Sequence, residues 1–572
     1  MYHKYLNIIG FKNITIAQSI ILFILFSATS FAMPPRPQIV DGIAKFPTPL
    51  YNENTLPLNK NLNKPSKATD LRRAISDGTY NMLAVLIDFS DKPGQTATVF
   101  FDTLLFDNHT GTLRHYYGTV SYDRLDIVTV NLPSLIGWIE APQEYAWYCN
   151  HQKGCGDYPQ NTQKLCEDIV DVIDTLVDFS LYDNDGDDTV DAVILIHSGS
   201  GYEQTSDVDD IHSHKWNIEP RLKDNVYVYD YTIQPEYWFQ PGDMTCGVFC
   251  HEVGHILGLP DLYDPDYSSR GIGVWSVMSY GSWLGPNYDG SCPAEPDAWC
   301  RLQLGFTSSI DIEEHVGSMN IGNVEETGTI YRLLSDAMST TEYFLVENRQ
   351  KLGYDEYLPG DGLLIWHIDE TKLTTMLPNM NEWYPGHTIN GHYGVALEQA
   401  DGLYNLEQLN NSGDAGDPFP GSSSNNSFTH LSNPNSCWYN GGNSYIYLGN
   451  ISSSASLMTF DFITEPFGSS TNDEEEIILP EKPFLRQNHP NPFNPITTIE
   501  IVLPEPGYVS LNIYNISGQL VHQLINEWYP AGTIKTAWDG YDKSNRKVAS
   551  GTYFYEVSTD YGRETKKMTL IK

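Results

Sequence analysis

Positive charge is scarce in this 572-residue chain, which has 33 Lys and Arg residues, 73 Asp and Glu residues and a net charge of −40. The imbalance excludes ordinary nucleic-acid binding, because phosphate backbones are bound through clustered Lys and Arg. Beyond the N-terminus the chain also lacks any run of about 18 apolar residues, which a membrane-spanning helix needs. We therefore predict no transmembrane segment in the mature chain. The excess of carboxylates instead suits hard cations such as calcium.

The one long apolar run lies at the N-terminus and predicts a signal peptide over residues 1–32. Lys4 and Lys12 supply positive charge, the following residues are mostly apolar, and Ala32 ends a small-residue cleavage site. The alternative is a membrane anchor, which the shortness of the run disfavours. We expect a secreted protein, extracellular or attached to the outer cell surface. Residues 33–78, rich in Pro, Asn and Lys, are predicted to be a propeptide or an N-terminal arm.

The chain has no CxxC pair, which argues against a zinc site built from its eight cysteines. An even number of cysteines in an exported chain predicts disulfide bonds instead. Two local pairs each close a short loop that contains Gly or Pro, and we expect these to be bonded. The pairs are Cys149 with Cys155, and Cys292 with Cys300.

The most informative stretch reads HEVGHILGLPD and begins at His251. On a helix, His251 and His255 lie on one face, so both imidazoles can bind one zinc ion. Glu252 can reach a water on that metal, and Gly258 can end the helix in a left-handed turn. The chain then turns back and supplies Asp261 as a third ligand. Three protein ligands with an open fourth position are typical of a catalytic zinc site.

A second element reads WSVMSYG and contains Met278. Zinc enzymes of the metzincin type have a turn with a methionine beneath the metal, and Met278 follows Asp261 by 17 residues. Two residues later, the hydroxyl of Tyr280 can hydrogen-bond the oxyanion of a substrate. An ordinary packed loop tyrosine is the equal alternative. Asp264 is a less favoured substitute for Asp261 as the third ligand.

An acidic loop provides a candidate calcium site. Carboxylates at alternate positions can surround one cation, as in the first half of an EF-hand loop. The glycine of this loop is at the fourth position rather than the sixth, and the twelfth position is not Glu. The alternative is an acidic turn without metal. The predicted ligands are the side chains of Asp183, Asp185, Asp187 and Asp191 and the carbonyl of Thr189.

Other polar clusters carry weaker predictions. Asp414 and Asp417 are a possible further metal site with less support. His212 and His214 are separated by one residue, a spacing that is common without metal, so we expect a structural or substrate-side role. His367 lies in an apolar run and is interpreted as a satisfied core histidine.

Hydrophobic patterning predicts a multidomain chain. Residues 79–312 mix apolar strands with a long amphipathic helix, which indicates an α/β domain. Residues 313–465 contain short strands separated by Gly, Asn and Ser loops, which predict a β-sandwich-like accessory domain. Residues 466–482 are acidic and turn-rich, so we interpret them as a linker. Residues 483–572 are again rich in predicted strands and turns.

With these motifs in place, residues 80–465 resemble the M6 family of metallopeptidases, the immune inhibitor A group of the metzincin clan. The resemblance implies an α/β metzincin-like protease domain in a secreted endopeptidase, with His251 and His255 as zinc ligands, Glu252 as the catalyst and Asp261 as the third ligand. The stretches that carry it are VLIDFSD from Val85, HILGLPDLYD from His255, YFLVENRQ from Tyr343, GLLIWHID from Gly362 and DAGDPFPG from Asp414.

The C-terminal segment opens with NHPNPFNP at Asn488 and ends with KMTLIK. Together with its WDG and SGTY motifs, it resembles the sorting domain of type IX secretion substrates. The resemblance implies a small Ig-like β-sandwich, partnership with the type IX secretion machinery and passage across an outer membrane. An Ig-like adhesion module is the alternative.

The combined prediction is a secreted zinc-dependent endopeptidase that hydrolyses peptide bonds of extracellular proteins. In this hypothesis a zinc-activated water attacks the peptide and Glu252 is the general base. The rival from another class is a catalytically silent surface adhesin, which would have no need of Glu252. A zinc amidase acting on small molecules stays open from the motif alone.

Overall fold

Two compact units make up the chain, Met1–Gly468 and Ser469–Lys572. The predicted signal peptide, except for its last two residues, and the whole predicted linker lie outside the described residues, as does most of the predicted propeptide. The structure, a computed structural model, describes residues 31–34, 36–40, 43–45, 78–191, 193–264, 267–312, 317–334, 341–375, 392–464, 484–485, 488, 490–503, 507–529, 532–543, 546–559 and 562–571.

The first part of the larger unit alternates strands and helices, as predicted. Its strands are β1 (Phe31–Ala32), β2 (Gln38–Val40), β3 (Ile43–Lys45), β4 (Gly78–Asn81), β5 (Leu83–Asp88), β6 (Leu125–Val128), β7 (Trp138–Glu140), β8 (Thr189–Val190), β9 (Val193–His197), β10 (His214–Lys223) and β11 (Val226–Pro235). Its helices are α1 (Val99–Phe106), α2 (Leu113–Val120), α3 (Pro133–Ile136), α4 (Tyr145–Cys149), α5 (Thr162–Ile173), α6 (Tyr202–Thr205), α7 (Cys246–Ile256) and α8 (Ala298–Gln303). Short 3-10 helices cover Phe179–Tyr182, Gly273–Trp275 and Tyr280–Trp283.

A mixed seven-stranded sheet forms the centre of this region, with strand order β1-β10-β11-β9-β5-β7 and β8 beside β11. Strands β11, β9, β5 and β7 run parallel, whereas β10 is antiparallel to β11 and to β1. Strands β8 and β9 follow one another in one register on β11, with Val190 opposite Val228 and Val193 opposite Tyr231. Two further pairs, β2 with β3 and β4 with β6, form small sheets.

Each face of the central sheet is covered by helices, because successive side chains of a strand point to opposite faces. Leu83 and Val85 of β5 pack with Leu165 of α5 in one core. Ala84 and Leu86 pack in the other core, which contains α7. The buried parallel strands and the helices on both faces confirm the predicted α/β arrangement.

The later part of the larger unit is rich in β-strands, and its two sheets, β12-β14-β15-β16-β17 and β13-β19-β18, share one core. The region is built of short strands, as its sequence predicts. The strands are β12 (Ser309–Ile312), β13 (Gly317–Gly322), β14 (Ile330–Leu333), β15 (Glu342–Arg349), β16 (Gly362–Asp369), β17 (Val395–Leu397), β18 (Tyr447–Gly449) and β19 (Leu457–Ile463). The helices are α9 (Val324–Thr327) and α10 (Glu370–Thr375), with a 3-10 helix at Gly353–Tyr357.

The smaller unit is built from two antiparallel sheets, β20-β21-β24 and β23-β22-β25-β26, around one apolar core. This is the Ig-like β-sandwich expected for the C-terminal segment. Its strands are β20 (Phe484–Leu485), β21 (Thr497–Leu503), β22 (Gly507–Asn515), β23 (Leu520–Tyr529), β24 (Gly532–Trp538), β25 (Gly551–Thr559) and β26 (Gly562–Leu570).

The predicted local disulfides are wrong in this structure, where the four cysteines concerned are free thiols. The sulfur of Cys149 lies 3.5 Å from the carbonyl of Val208, and that of Cys292 lies 3.5 Å from the carbonyl of Tyr354. Each thiol is therefore directed toward a carbonyl rather than toward its expected partner. Among the described helices, none combines the length and apolar character that a bilayer crossing requires.

Candidate metal centre

Helix α7 carries the HExxH motif and ends as the sequence predicts. The backbone N–H of Gly258 donates to the carbonyl of His255, and that of Leu259 donates to the carbonyl of Gly254. Gly258 has φ +95°, in the left-handed region that glycine adopts without a Cβ penalty. The chain therefore reverses immediately after the second histidine and brings Asp261 back to the helix.

His251, His255 and Asp261 form one buried group of potential metal ligands. His251 Nε2 lies 3.1 Å from Asp261 Oδ1 and 3.2 Å from His255 Nε2, and His255 Nε2 lies 3.3 Å from the same Oδ1. Tetrahedral zinc with bonds of about 2.0–2.1 Å requires ligand atoms about 3.3–3.4 Å apart. The triangle therefore fits a zinc ion, and its donor set of two imidazoles and one carboxylate is one that zinc accepts.

The far nitrogens of both rings are held by backbone carbonyls. His251 Nδ1 lies 2.8 Å from the carbonyl oxygen of Val277, and His255 Nδ1 lies 2.9 Å from that of Leu259. Because a carbonyl only accepts, each Nδ1 carries the proton and each Nε2 keeps its lone pair for a metal. Both rings are thus fixed in orientation and tautomer without any metal.

The methionine turn lies directly beneath this helix. Met278 is fully buried, and a Cβ added at Gly254 would lie 2.3 Å from its sulfur. The backbone N–H of Leu262 donates to the carbonyl of Met278 over 2.8 Å. The turn therefore supports both the helix with the histidines and the segment with Asp261.

Glu252 is fully buried, and neither of its carboxylate oxygens has a hydrogen-bond partner among the described residues. Burial raises its pKa well above the usual range, and the charges of Asp261 and Glu203 raise it further. A raised pKa suits a group that must both accept and release a proton near neutral pH.

The other residues predicted near the metal occupy different surroundings. Tyr280 is fully buried, and its hydroxyl accepts a 3.5 Å hydrogen bond from Arg270. Its predicted oxyanion role stays a prediction. Asp264 accepts hydrogen bonds from Ser268 over 3.1 Å and from Ser269, and it is not in the group of three ligands.

Three carboxylates of the acidic loop, those of Asp183, Asp185 and Asp187, also lie together and are half-buried. Asp191 is outside this group, and its carboxylate accepts hydrogen bonds from the backbone and side-chain amide of Asn184. Three of the expected carboxylates therefore lie together, and calcium binding stays a prediction. Thr189 begins β8, and its predicted carbonyl contact stays a prediction.

The isolated histidines have structural partners. His212 Nε2 lies 2.9 Å from the carbonyl of Met33, and His214 Nε2 lies 2.9 Å from the hydroxyl of Thr162. Burial, the largest cause, lowers the pKa of His212 to about 3 and that of His214 to about 4. His367 is 1% exposed and contacts carboxylates through both nitrogens, so its interpretation as a satisfied core histidine is confirmed.

Sequence reasoning missed several supporting groups. The ring of Tyr263 is stacked near His251 at 6.4 Å between centroids, and the hydroxyl of Tyr117 donates to the carbonyl of Cys250 over 2.6 Å. The carbonyls of Val277 and Leu259 that orient the histidines leave no signature in the sequence, because every residue has a carbonyl. For Tyr263, its place two residues after Asp261 was the available signal.

Comparison with known proteins agrees with this geometry. Residues 74–307 match the family described as "Immune inhibitor A peptidase M6, catalytic domain". This segment is similar to an M6 catalytic domain. It contains the acidic loop, the triangle of His251, His255 and Asp261, and the methionine turn. The match therefore supports a metallopeptidase with a bound metal. Residues 496–563 match the FlgD Ig-like domain, in agreement with the two-sheet smaller unit.

Individual relatives cover parts of the chain. The pre-pro-metalloprotease PrtV of Vibrio cholerae is 28% identical over 283 residues, which are 40% of this chain and 30% of PrtV. Immune inhibitor A of Bacillus thuringiensis subsp. alesti is 33% identical over 159 residues, 22% of each chain. The chain thus spans less than a third of the length of these relatives. The crystal structure of FlgD from P. aeruginosa is 30% identical over 13% of this chain and 61% of FlgD, with a TM-score of 0.12.

Proposed function

We propose that this protein is a secreted zinc-dependent endopeptidase of metzincin-like architecture that hydrolyses extracellular proteins. The observation that carries the proposal is the buried triangle of His251, His255 and Asp261 beside the unpaired carboxylate of Glu252. The similarity of residues 74–307 to M6 catalytic domains supports it.

The residues divide the chemistry among them. His251, His255 and Asp261 would hold the zinc, which when bound supplies a Lewis acid and lowers the pKa of water to about 7. Glu252 accepts the proton of the attacking water and returns it to the leaving amine. Met278 supports the metal-binding helix from below. Tyr280 would donate a hydrogen bond to the substrate oxygen as negative charge develops there.

Replacing Glu252 by Gln tests the proposal, because the amide keeps the shape of the side chain and cannot accept the proton. We expect zinc content to stay at one per chain while cleavage of a denatured protein mixture is abolished. The exposed Glu326, changed to Gln, is the matched control. Undiminished cleavage by a folded, zinc-loaded Glu252→Gln protein would refute the assignment.

The silent-adhesin alternative predicts a different result in the same assay. A protein that only binds its partners would leave a denatured protein mixture intact whether or not a zinc chelator is added. Fragments that appear with the wild type and disappear on chelation would reject it. Fragment termini that lie inside the substrate proteins would also show endopeptidase activity, which an amidase acting on small molecules lacks.

We also propose that the acidic loop binds calcium through Asp183, Asp185 and Asp187, with Thr189 and Asp191 as the remaining predicted ligands. Three carboxylates with oxygens within 4.8 Å of one another support this proposal, because calcium prefers several oxygen ligands. Chelating calcium while zinc is kept saturated should lower the melting temperature. An unchanged melting temperature would favour the acidic turn without metal.

Export is the last part of the proposal. The C-terminal Ig-like unit would be the sorting domain through which the type IX secretion machinery moves the protein across the outer membrane, after signal-peptide export. The motif resemblance supports this role, and the Ig-like match agrees with the β-sandwich that it implies. A chain truncated after Glu481 should remain in the cell. Normal release of that truncated chain would favour the adhesion-module alternative.

A further inference from the structure

Another group of carboxylates lies in the β-rich region, away from the zinc-ligand triangle. Asp401, Asp414 and Asp417 each present one ligand oxygen, and the three oxygens lie within 4.8 Å of one another. Asp417 is 0% exposed, and the other two are half-buried. Three carboxyl groups are therefore concentrated at a site that water reaches only in part.

One oxygen of Asp417 has no partner. Its Oδ2 accepts hydrogen bonds from the indole Nε1 of Trp275 and from the backbone N–H of Asp414, each over 3.0 Å. Its Oδ1 is buried and has no hydrogen-bond partner among the described residues. A buried carboxylate oxygen without a donor costs free energy, so this oxygen indicates a missing positive ligand.

The described part of the chain places no basic side chain in an ion pair with these carboxylates. Burial raises the pKa of Asp417 to about 8, and the charges of Asp414 and Asp401 contribute to the increase. Among the described residues, the donors to these carboxylates are neutral groups, including the side-chain amides of Asn405 and Asn411 on Asp414.

The backbone leaves room beside two of these carboxylates. A Cβ added at Gly416 would lie 2.6 Å from Oδ2 of Asp401 and 2.9 Å from Oδ1 of Asp414. Both oxygens therefore face the same stretch of backbone, and any side chain at position 416 would displace them. The loop over residues 401–417 therefore brings together carboxylates from both of its ends.

We propose that Asp401, Asp414 and Asp417 bind a divalent cation of the calcium class, and that this ion fixes the loop against the methionine turn. All three side chains offer hard oxygen ligands, which calcium prefers over the nitrogen and sulfur ligands of zinc. This site is separate from the acidic loop at Asp183, and it does not depend on the protein being a peptidase.

The contacts of the loop define what the ion would stabilise. Besides the bond from Trp275 to Asp417, the backbone N–H of Val274 donates to the carbonyl of Ser412 over 2.8 Å. Two residues after Trp275, the carbonyl of Val277 holds His251. The ion would thus stabilise the turn that orients the first histidine of the metal centre.

Equilibrium dialysis of the full-length, zinc-loaded chain against Ca²⁺ tests the proposal, with bound calcium counted by mass spectrometry. Asp401→Asn is the first variant, because its only described hydrogen bond is from the backbone N–H of Leu403, which an amide oxygen also accepts. We expect it to bind one calcium fewer per chain than the wild type. Its calcium-dependent rise in melting temperature should shrink accordingly.

Gly416→Ala is the second variant, since it keeps every charge and moves the carboxylates. It should also bind one calcium fewer per chain than the wild type. If one of the two variants fails to fold, the calcium content of the other still tests the proposal. Asp461→Asn removes a charge from the same region outside the group and should bind as much calcium as the wild type. Asp185→Asn, measured in parallel, shows how much of the bound calcium belongs to the acidic loop at Asp183. Wild-type calcium content in folded Asp401→Asn or Gly416→Ala would overturn the proposal.

Discussion

The triangle of His251, His255 and Asp261 differs from the acidic loop of Asp183 in what holds its side chains. At the triangle, both imidazoles are oriented through Nδ1 by carbonyls, and their Nε2 atoms converge on Asp261 Oδ1. In the acidic loop, the carboxylate of Asp183 already accepts hydrogen bonds from the backbone amides of residues 186–188. The first site is organised by the protein, whereas an ion at the second would have to share its ligands with the backbone.

This difference predicts different responses to losing the ion. A preorganised site should keep its geometry without metal, because the surrounding hydrogen bonds persist. A loop whose carboxylates are divided between amides and an ion should gain order when the ion binds.

The largest effect should follow removal of a ligand from the triangle. His255→Ala should lose zinc and with it all measurable peptide cleavage, because two protein ligands no longer complete the three-ligand set of a catalytic zinc site. Far-UV circular dichroism should stay close to that of the wild type. A global loss of helix signal would show that the metal, rather than the protein, organises the site.

A smaller effect should follow overpacking beneath the helix. Gly254→Ala places a methyl group 2.3 Å from the Met278 sulfur and should lower the free energy of unfolding by about 1–3 kcal/mol. Chemical denaturation measures this change. Gly449→Ala is the matched control, since its added Cβ meets nothing within 4 Å. Equal stability of the two variants would mean that Met278 moves aside freely.

The acidic loop should respond more weakly. Asp183→Asn should reduce the rise in melting temperature that calcium produces, by roughly 2–4 °C if the site contributes about 1 kcal/mol. Asp188→Asn changes the same loop outside the group of three carboxylates and should leave the calcium response intact. Identical thermal shifts in both variants would place the ion elsewhere.

The smallest effect concerns pH. Burial opposes protonation of His367, but hydrogen bonds to Glu342 and Glu398 more than offset it, so its pKa is raised above the ordinary 6.5. The folded state therefore binds more protons than the unfolded state between pH 6.5 and that raised pKa, and the free energy of unfolding falls as pH rises through this window. His367→Gln should remove this slope in denaturation measured at several pH values. A slope that persists in the variant belongs to another group.

Sequence patterns predicted the elements that follow from local chemistry. The HExxH spacing predicted that both histidines lie on one face of α7, because that spacing follows from helix geometry. Gly258 predicted the end of the helix, because a left-handed dihedral angle there favours glycine. Buried strands such as β5 and β16 were visible as apolar runs. The disulfides were mispredicted, because an even number of cysteines describes composition and carries no information on which direction each sulfur points.

Contacts between distant segments could not be predicted in the same way. Asp401 lies beside Asp414 and Asp417 only after the loop folds. The hydrogen bond from Trp275 of the methionine turn to Asp417 joins residues that are 142 positions apart. The contact between the carbonyl of Val277 and His251 depends on how the backbone of the methionine turn folds against α7, which the sequence alone does not give. Such contacts are fixed by tertiary packing, which no local pattern records.

The indole of Trp275 has a practical consequence for dissecting this protein. The similarity to M6 catalytic domains ends at residue 307, but the partners of Trp275 and Val274 lie more than one hundred residues later. A fragment cut at the end of that similarity would expose a large aromatic ring and leave its N–H without an acceptor. A fragment that keeps these contacts must therefore include the β-rich region through its last strand, which ends at Ile463.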